Sequence, residues 1–159
     1  ELIEYARKKV PGITFSSDII VGFPGETEEE FDQLAEFLQA NPFDRLGAFA
    51  YSQEENTPAA QMPDQIPDAV KAERLDRIMT AQQAISLVCN QIRVGRTYEV
   101  LVDKVQGDIC LGRSYGEAPE VDGCIRFYYQ GPAPKPGTFV QVRINQAGPY
   151  DLWGEMVLQ

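Results

Sequence analysis

Ser17-Asp18-Ile19-Ile20-Val21-Gly22-Phe23-Pro24-Gly25-Glu26-Thr27-Glu28 is the stretch on which the reading of this chain turns. Ile19-Ile20-Val21 is a short, continuous apolar run of the kind found in a strand. Unbroken apolarity predicts a parallel strand covered on both faces. Gly22, Pro24 and Gly25 stop that strand and let the chain pass close to a neighbour. Thr27, with Glu30 three residues on, is a capping box that satisfies the first amides of a helix. The whole is a strand, a turn and a helix.

The same order repeats on either side. Leu2 to Lys9 reads as the end of a helix, Val10-Pro11-Gly12 as a turn, and Ile13 to Val21 as the strand. Phe31, Leu34, Ala35 and Leu38 recur at helical spacing and face inward, Asn41-Pro42 closes the helix, and Arg45 to Tyr51 is a second strand. Helix, strand, helix, strand predicts βα units in a parallel sheet. Ser52 to Pro67, with Pro58, Pro63 and Pro67, is a crossing loop of restricted backbone. Asp68 then opens a long helix whose stripe of Leu75, Ile78, Met79, Gln82, Ile85, Cys89 and Ile92 reads as a docking face, ended by Gly95.

Beyond Gly95 the period changes to two. Tyr98-Val100-Val102, Ile109-Leu111, Ile125-Phe127, Val140-Val142-Ile144 and Leu152-Gly154-Met156 alternate with polar neighbours, predicting a small closed antiparallel barrel of five strands, OB-like in size. The expected organisation is a parallel α/β part over 1–67, a connecting helix over 68–94 and a barrel over 95–159.

Composition narrows the function. The 159 residues carry 14 Lys+Arg against 24 Asp+Glu, a net charge of -10, which repels phosphate backbones and makes nucleic acid an unlikely main partner. Residues 1–92 are strongly acidic and residues 93–159 nearly neutral; Glu117, Glu120 and Asp122 lie in an acidic loop that suits a basic protein. With no histidine, the commonest general base and metal ligand is missing. Cys89, Cys110 and Cys124 lack the paired spacing of a zinc or cluster site and read as small, semi-buried hydrophobes. No apolar run reaches the roughly 18 residues of a spanning helix, so no membrane association and a cytoplasmic location are expected. Lys71, Arg74 and Arg77 read as a solvated helix face paired with Glu73 and Asp76. Tyr150 and Trp153 are candidates either for stacking on a base or for barrel packing.

Ile19-Ile20-Val21-Gly22-Phe23-Pro24-Gly25-Glu26-Thr27, Gly47-Ala48-Phe49-Ala50-Tyr51-Ser52 and Thr57-Pro58-Ala59-Ala60 together resemble the last strands of the radical-SAM barrel, TIM-like in form, of methylthiotransferases, followed by a TRAM-like barrel. Gly112-Arg113-Ser114-Tyr115, Ala118-Pro119-Glu120-Val121-Asp122-Gly123 and Asp151-Leu152-Trp153-Gly154-Glu155 resemble the RimO-type branch, which methylthiolates the β-carbon of an aspartate in small-subunit ribosomal protein twelve. The resemblance implies S-adenosylmethionine as cofactor, with Ile20, Gly22, Phe23, Pro24 and Gly25 against its adenosine part; a turn shaped only for helix packing is the alternative. Phe49 and Tyr51 either border that pocket or pack in the core. The resemblance also implies two 4Fe-4S clusters in the full-length enzyme, whose CxxxCxxC motif is not among these residues; no catalytic residue and no metal ligand is assigned here, and the segment by itself is expected to be inactive. It further implies a basic ribosomal protein as substrate, recruited by Glu117, Glu120 and Asp122. A tRNA-adenosine methylthiotransferase (MiaB-like) and a non-enzymatic adaptor barrel remain as alternatives. Two parallel strands cannot close a barrel, so their edges are expected to be unpaired and the chain to self-associate.

Overall fold

The computed structural model describes residues 1–157, which form two compact units meeting within one helix, at Ile85/Ser86. In the first unit, α1 (Leu2–Lys9) precedes β1 (Ser16–Val21), α2 (Glu28–Ala40) and β2 (Arg45–Ala50). The sequence sets the start of α2 as expected: the Thr27 hydroxyl accepts from the Glu30 amide while the Glu30 carboxylate accepts from the Thr27 amide. β1 and β2 pair in parallel, with Ile20 opposite Phe49 and Val21 opposite Ala50. Val21, Phe31, Leu38 and Ile78 are the buried centre, with Ile19, Leu34, Leu46, Ala48 and Leu75 packed around them.

The expectation that β1 is covered on both faces does not hold in this chain. Ser17, Ile19 and Val21 turn toward the helices, while Ser16, Asp18 and Ile20 are exposed. The helices supply a layer on one side only, so burial follows the two-residue period of the pleat rather than the continuous apolarity of the sequence.

The segment between β2 and the long helix contains a 3₁₀ turn (Ala59–Gln61) and packs back on the first turn: the Gly25 amide donates to the Asp64 carbonyl at 3.0 Å. Helix α3 (Asp68–Gln91) follows. It is no separate connector, since its residues up to Ile85 belong to the first unit and those from Ser86 to the second. The expected stripe is inward in part, with Ile78 and Gln82 buried and Leu75, Met79, Ile85 and Cys89 half-buried, but Ile92 is exposed and the polar Arg74, Ser86 and Asn90 join the buried line. Arg74, Gln82 and Asn90 are polar there because they face acceptors that need donors. Gln82 Nε2 reaches the Phe43 carbonyl at 2.9 Å, and Asn90 Nδ2 reaches the carbonyls of Gly148 and Pro149 at 2.9 and 3.2 Å.

The second unit is a closed barrel in the order β3-β4-β5-β7-β6, from β3 (Thr97–Gln106), β4 (Ile109–Arg113), β5 (Ile125–Tyr128), β6 (Phe139–Ala147) and β7 (Leu152–Met156). Gly95, at φ +84°, turns the chain out of the helix region, and its amide donates to the Ile144 carbonyl. The barrel is not wholly antiparallel: β5 and β7 run parallel. A closed ring with an odd number of strands cannot alternate direction throughout, so one parallel pair is a geometric necessity. Val100, Val102, Cys110, Ile125, Phe127, Val142, Ile144 and Leu152 fill the interior. On β4 the inward positions are Cys110 and Gly112, not Ile109 and Leu111, which are only half-buried.

Glycine at two strand positions allows the wall to close. A Cβ on Gly112 would lie 2.4 Å from the Leu101 carbonyl oxygen, and one on Gly154 would lie 2.4 Å from that of Arg143. Backbone in a ladder cannot retreat to relieve such a contact. Gly154→Ala is therefore expected to destabilise the barrel by about 2 kcal/mol, seen as a lower denaturant midpoint at unchanged slope.

Candidate functional site

The uncovered face of β1 and β2 is the first candidate. Ile20 and Phe49, neighbours across the parallel pair, are each 57% exposed. Phe23, also exposed, sets its ring edge-on to Tyr51 with centroids 5.3 Å apart. Ile20, Phe23 and Phe49 make an apolar patch at the carboxyl ends of the strands, where parallel sheets hold their ligands.

The five residues singled out from the sequence do not act alike. Ile20 and Phe23 present side chains. Gly22 and Pro24 are buried, and Gly25 is exposed with φ +84°. Gly22 does not open its backbone to a ligand: at φ +72° its amide donates to Glu26 Oε1 at 2.9 Å, and a Cβ there would lie 2.3 Å from Lys71 Cγ. Its missing side chain makes room for α3. Tyr51 is buried, while Phe49 borders the open face.

Behind this face lies a set of ion pairs that local spacing did not reveal. Arg74, 5% exposed, donates through Nη1 to the Glu26 carbonyl at 3.1 Å and to Glu26 Oε1, and through Nη2 to Glu28 Oε2 at 3.0 Å. Arg77 continues outward to Glu28 Oε1 at 3.0 Å and Asp32 Oδ1 at 2.9 Å. Lys71 Nζ pairs with Asp68 at 2.7 Å and donates to the Tyr51 carbonyl at 3.2 Å. These cations are thus not a solvated face paired with Glu73 and Asp76. They clasp the Gly22–Glu26 turn and the start of α2, and both guanidinium groups also cover the Phe31 ring, at 5.3 and 4.6 Å. Burial draws the Arg74 pKa down, but the Glu28 and Glu26 carboxylates more than offset this and leave it raised. The missed signal was complementary spacing: Glu26, Glu28 and Asp32 against Arg74 and Arg77.

The barrel's acidic loop also differs from expectation. Glu117 is 5% exposed and directed inward. It pairs with Arg93, and its Oε2 accepts from the Ser114 amide at 2.8 Å and hydroxyl at 2.7 Å. Arg93 in turn donates to Ser114 Oγ at 2.8 Å and lies over the Tyr98 ring at 4.6 Å. Glu117 thus anchors the loop: burial costs its carboxylate hydration, and the Arg93 guanidinium and the Ser114 amide and hydroxyl offset that cost. Asp122 is half-buried, its Oδ2 accepting from the Ala118 amide at 2.7 Å. Of the three, Glu120 is the exposed acid, held at φ +64° between Tyr115 and Val121, which are 71% and 83% exposed. Tyr150 is exposed and Trp153 half-buried against Gly148. The three cysteines are free thiols, Cys110 buried and the others half-buried, and no group of three or more His, Cys, Asp or Glu forms a metal site among the described residues.

With both surfaces described, relatives place the chain. Residues 94–157 match the TRAM domain family, which sets the second unit in that class of barrel. Across the chain, the sequence is 49% identical over 152 residues to the ribosomal protein uS12 methylthiotransferase RimO of Desulforudis audaxviator, covering 96% of this chain and 34% of that protein. It is 48% identical to the protein of that name from Desulforamulus reducens and 45% identical to that from Cellvibrio japonicus, covering 98% and 99% of this chain and 35% of each relative. Over nearly its whole length the chain is similar to the RimO-type methylthiotransferases, and it spans about a third of the length of these curated relatives. Among the described residues, no helix is long and apolar enough to cross a membrane.

The Glu117 anchor fixes a pH dependence. Burial pushes its carboxyl up, and the Arg93 guanidinium and the Ser114 donors more than offset this, leaving it below the usual carboxylate value. Stabilisation from a depressed carboxyl is present above the unfolded pKa, about 4.3, and is lost as pH falls through the lower folded value. Glu117→Gln, which leaves Arg93 short of its counter-charge, is expected to cost about 3 kcal/mol at neutral pH and to flatten the acid limb of stability against pH in denaturant titrations.

Proposed function

We propose that this chain contributes the cofactor-facing end of a radical-SAM barrel and the substrate-recruiting TRAM barrel of an enzyme that methylthiolates an aspartate of ribosomal protein uS12. The observation that carries the cofactor half is the exposed apolar patch of Ile20, Phe23 and Phe49, backed by a turn whose Gly22, Gly25 and Glu26 amides are already paired. Such a patch fits the flat face of an adenosine: apolar side chains accept a planar base by area and stacking. S-adenosylmethionine, when bound, would supply the methyl group and the radical chemistry. Ile20, Phe23 and Phe49 would hold and orient its nucleoside part and exclude water from it.

The two 4Fe-4S clusters of such an enzyme would be held by residues outside this set. Cys110 fills the barrel core. The recruiting surface is the tip of the loop anchored by Glu117. Glu120 offers charge to a basic ribosomal protein while Tyr115 and Val121 offer apolar area. A cytoplasmic location accords with such a substrate.

The test uses the intact gene product with reductant and S-adenosylmethionine, offered uS12 and tRNA in parallel and read by mass spectrometry. A methylthio group on an aspartate of uS12 is the expected result. Methylthiolated adenosine in tRNA would move the assignment to the tRNA-modifying branch, and modification of neither would favour an adaptor.

A further inference from the structure

We infer that Arg74 is a positioning residue for the cofactor face: held within α3, it sets the end of β1 through Glu26. The inference rests on reading the open face of β1 and β2 as the nucleoside platform. One carboxylate oxygen, Glu26 Oε1, accepts from both the Gly22 amide, at 2.9 Å, and Arg74 Nη1. The same guanidinium nitrogen donates to the Glu26 carbonyl at 3.1 Å, and the other nitrogen secures Glu28 in the first turn of α2. Gly22 follows the last residue of β1 and sits between Ile20 and Phe23, the two side chains offered to the ligand. Two hydrogen bonds, Arg74 to Glu26 and Gly22 to Glu26, link the guanidinium to that platform.

The arrangement gives the arginine a role beyond filling space. At φ +72°, Gly22 has access to conformations that other residues lack. Its amide bond to Glu26 selects one of them, and the Glu26 carboxylate stays in place because Arg74 grips both its side chain and its carbonyl. Releasing the grip leaves the turn folded but free to move, and Phe23 with it. A lysine cannot substitute, since one ammonium cannot span Glu26 and Glu28 as the planar fork does.

Calorimetric titration of the intact gene product with S-adenosylmethionine and with 5′-methylthioadenosine, which lacks the amino-acid end, tests this. Arg74→Met and Arg74→Lys are expected to weaken both ligands about tenfold, measured well below each variant's melting temperature. Glu26→Gln is expected to do the same, and Glu26→Gln with Arg74→Met to weaken binding no further, because the two act in series. Ile78→Val, one turn along α3 in the core, controls for stability alone: it lowers the melting temperature and leaves affinity unchanged. Should Arg74→Met fail to fold, Arg74→Lys and Glu26→Gln carry the test. Wild-type affinity in the Arg74 variants overturns the inference while leaving the cofactor face intact, as does affinity falling in step with melting temperature for Ile78→Val too. A wild-type protein that binds neither ligand overturns the cofactor reading itself, and the inference with it.

Discussion

A guanidinium almost fully removed from water is costly unless its charge and donors are met; in Arg74 the two Nη groups meet Glu26 and Glu28, while the buried Nε has no hydrogen-bond partner among the described residues. That constraint organises the first unit. It draws α3 against the start of α2, closes the turn after β1 and leaves the helix layer on one face of the two-stranded sheet. Burying an ion pair is weak as a source of net stability. Its value here is geometric, because a planar fork accepts few arrangements of two carboxylates and a carbonyl. The opposite sheet face stays open, with Ile20 and Phe49 side by side.

The barrel answers a different constraint. Five strands must close on themselves, which demands a parallel seam between β5 and β7 and close backbone approach at Gly112 and Gly154. Register irregularities between Val102 and Lys104 and between Ile144 and Gln146 bend β3 and β6 around the core. Outside that wall the loop after β4 is held by a second internal ion pair, Arg93 with Glu117. In both units, then, an ion pair with one buried member fixes a surface segment: Arg74 holds the turn beside the sheet face in one, and Glu117 the loop carrying Glu120 in the other.

Much of the scaffold was legible because it is written in local patterns. The Thr27–Glu30 capping box, the helical spacing of Phe31, Leu34, Ala35 and Leu38, and the alternation of Val140-Val142-Ile144 all depend on neighbours within a few residues, and all appear as read. The site was less legible because its deciding contacts span long separations. Arg74 meets Glu26 across 48 residues and Arg93 meets Glu117 across 24, so short-range charge spacing assigned Arg74 to Glu73 and Asp76 and left Glu117 in solvent. Ile20 misled for a related reason: its apolarity calls for a covering layer, and the described residues place none over it. On β4 the alternation of Ile109 and Leu111 was real but faced outward, since Cys110 and Gly112 suit the tighter interior.

The central claim is that a nucleoside lies on the open face of β1 and β2 against a turn fixed from behind. Hydrogen–deuterium exchange on the intact gene product, with and without S-adenosylmethionine, addresses it directly. The account predicts ligand-dependent protection concentrated in residues 18–25 and 47–51, with little change in residues 94–157. Saturating ligand that protects the barrel instead, or leaves the Ile20–Gly25 amides exchanging as before, would contradict it.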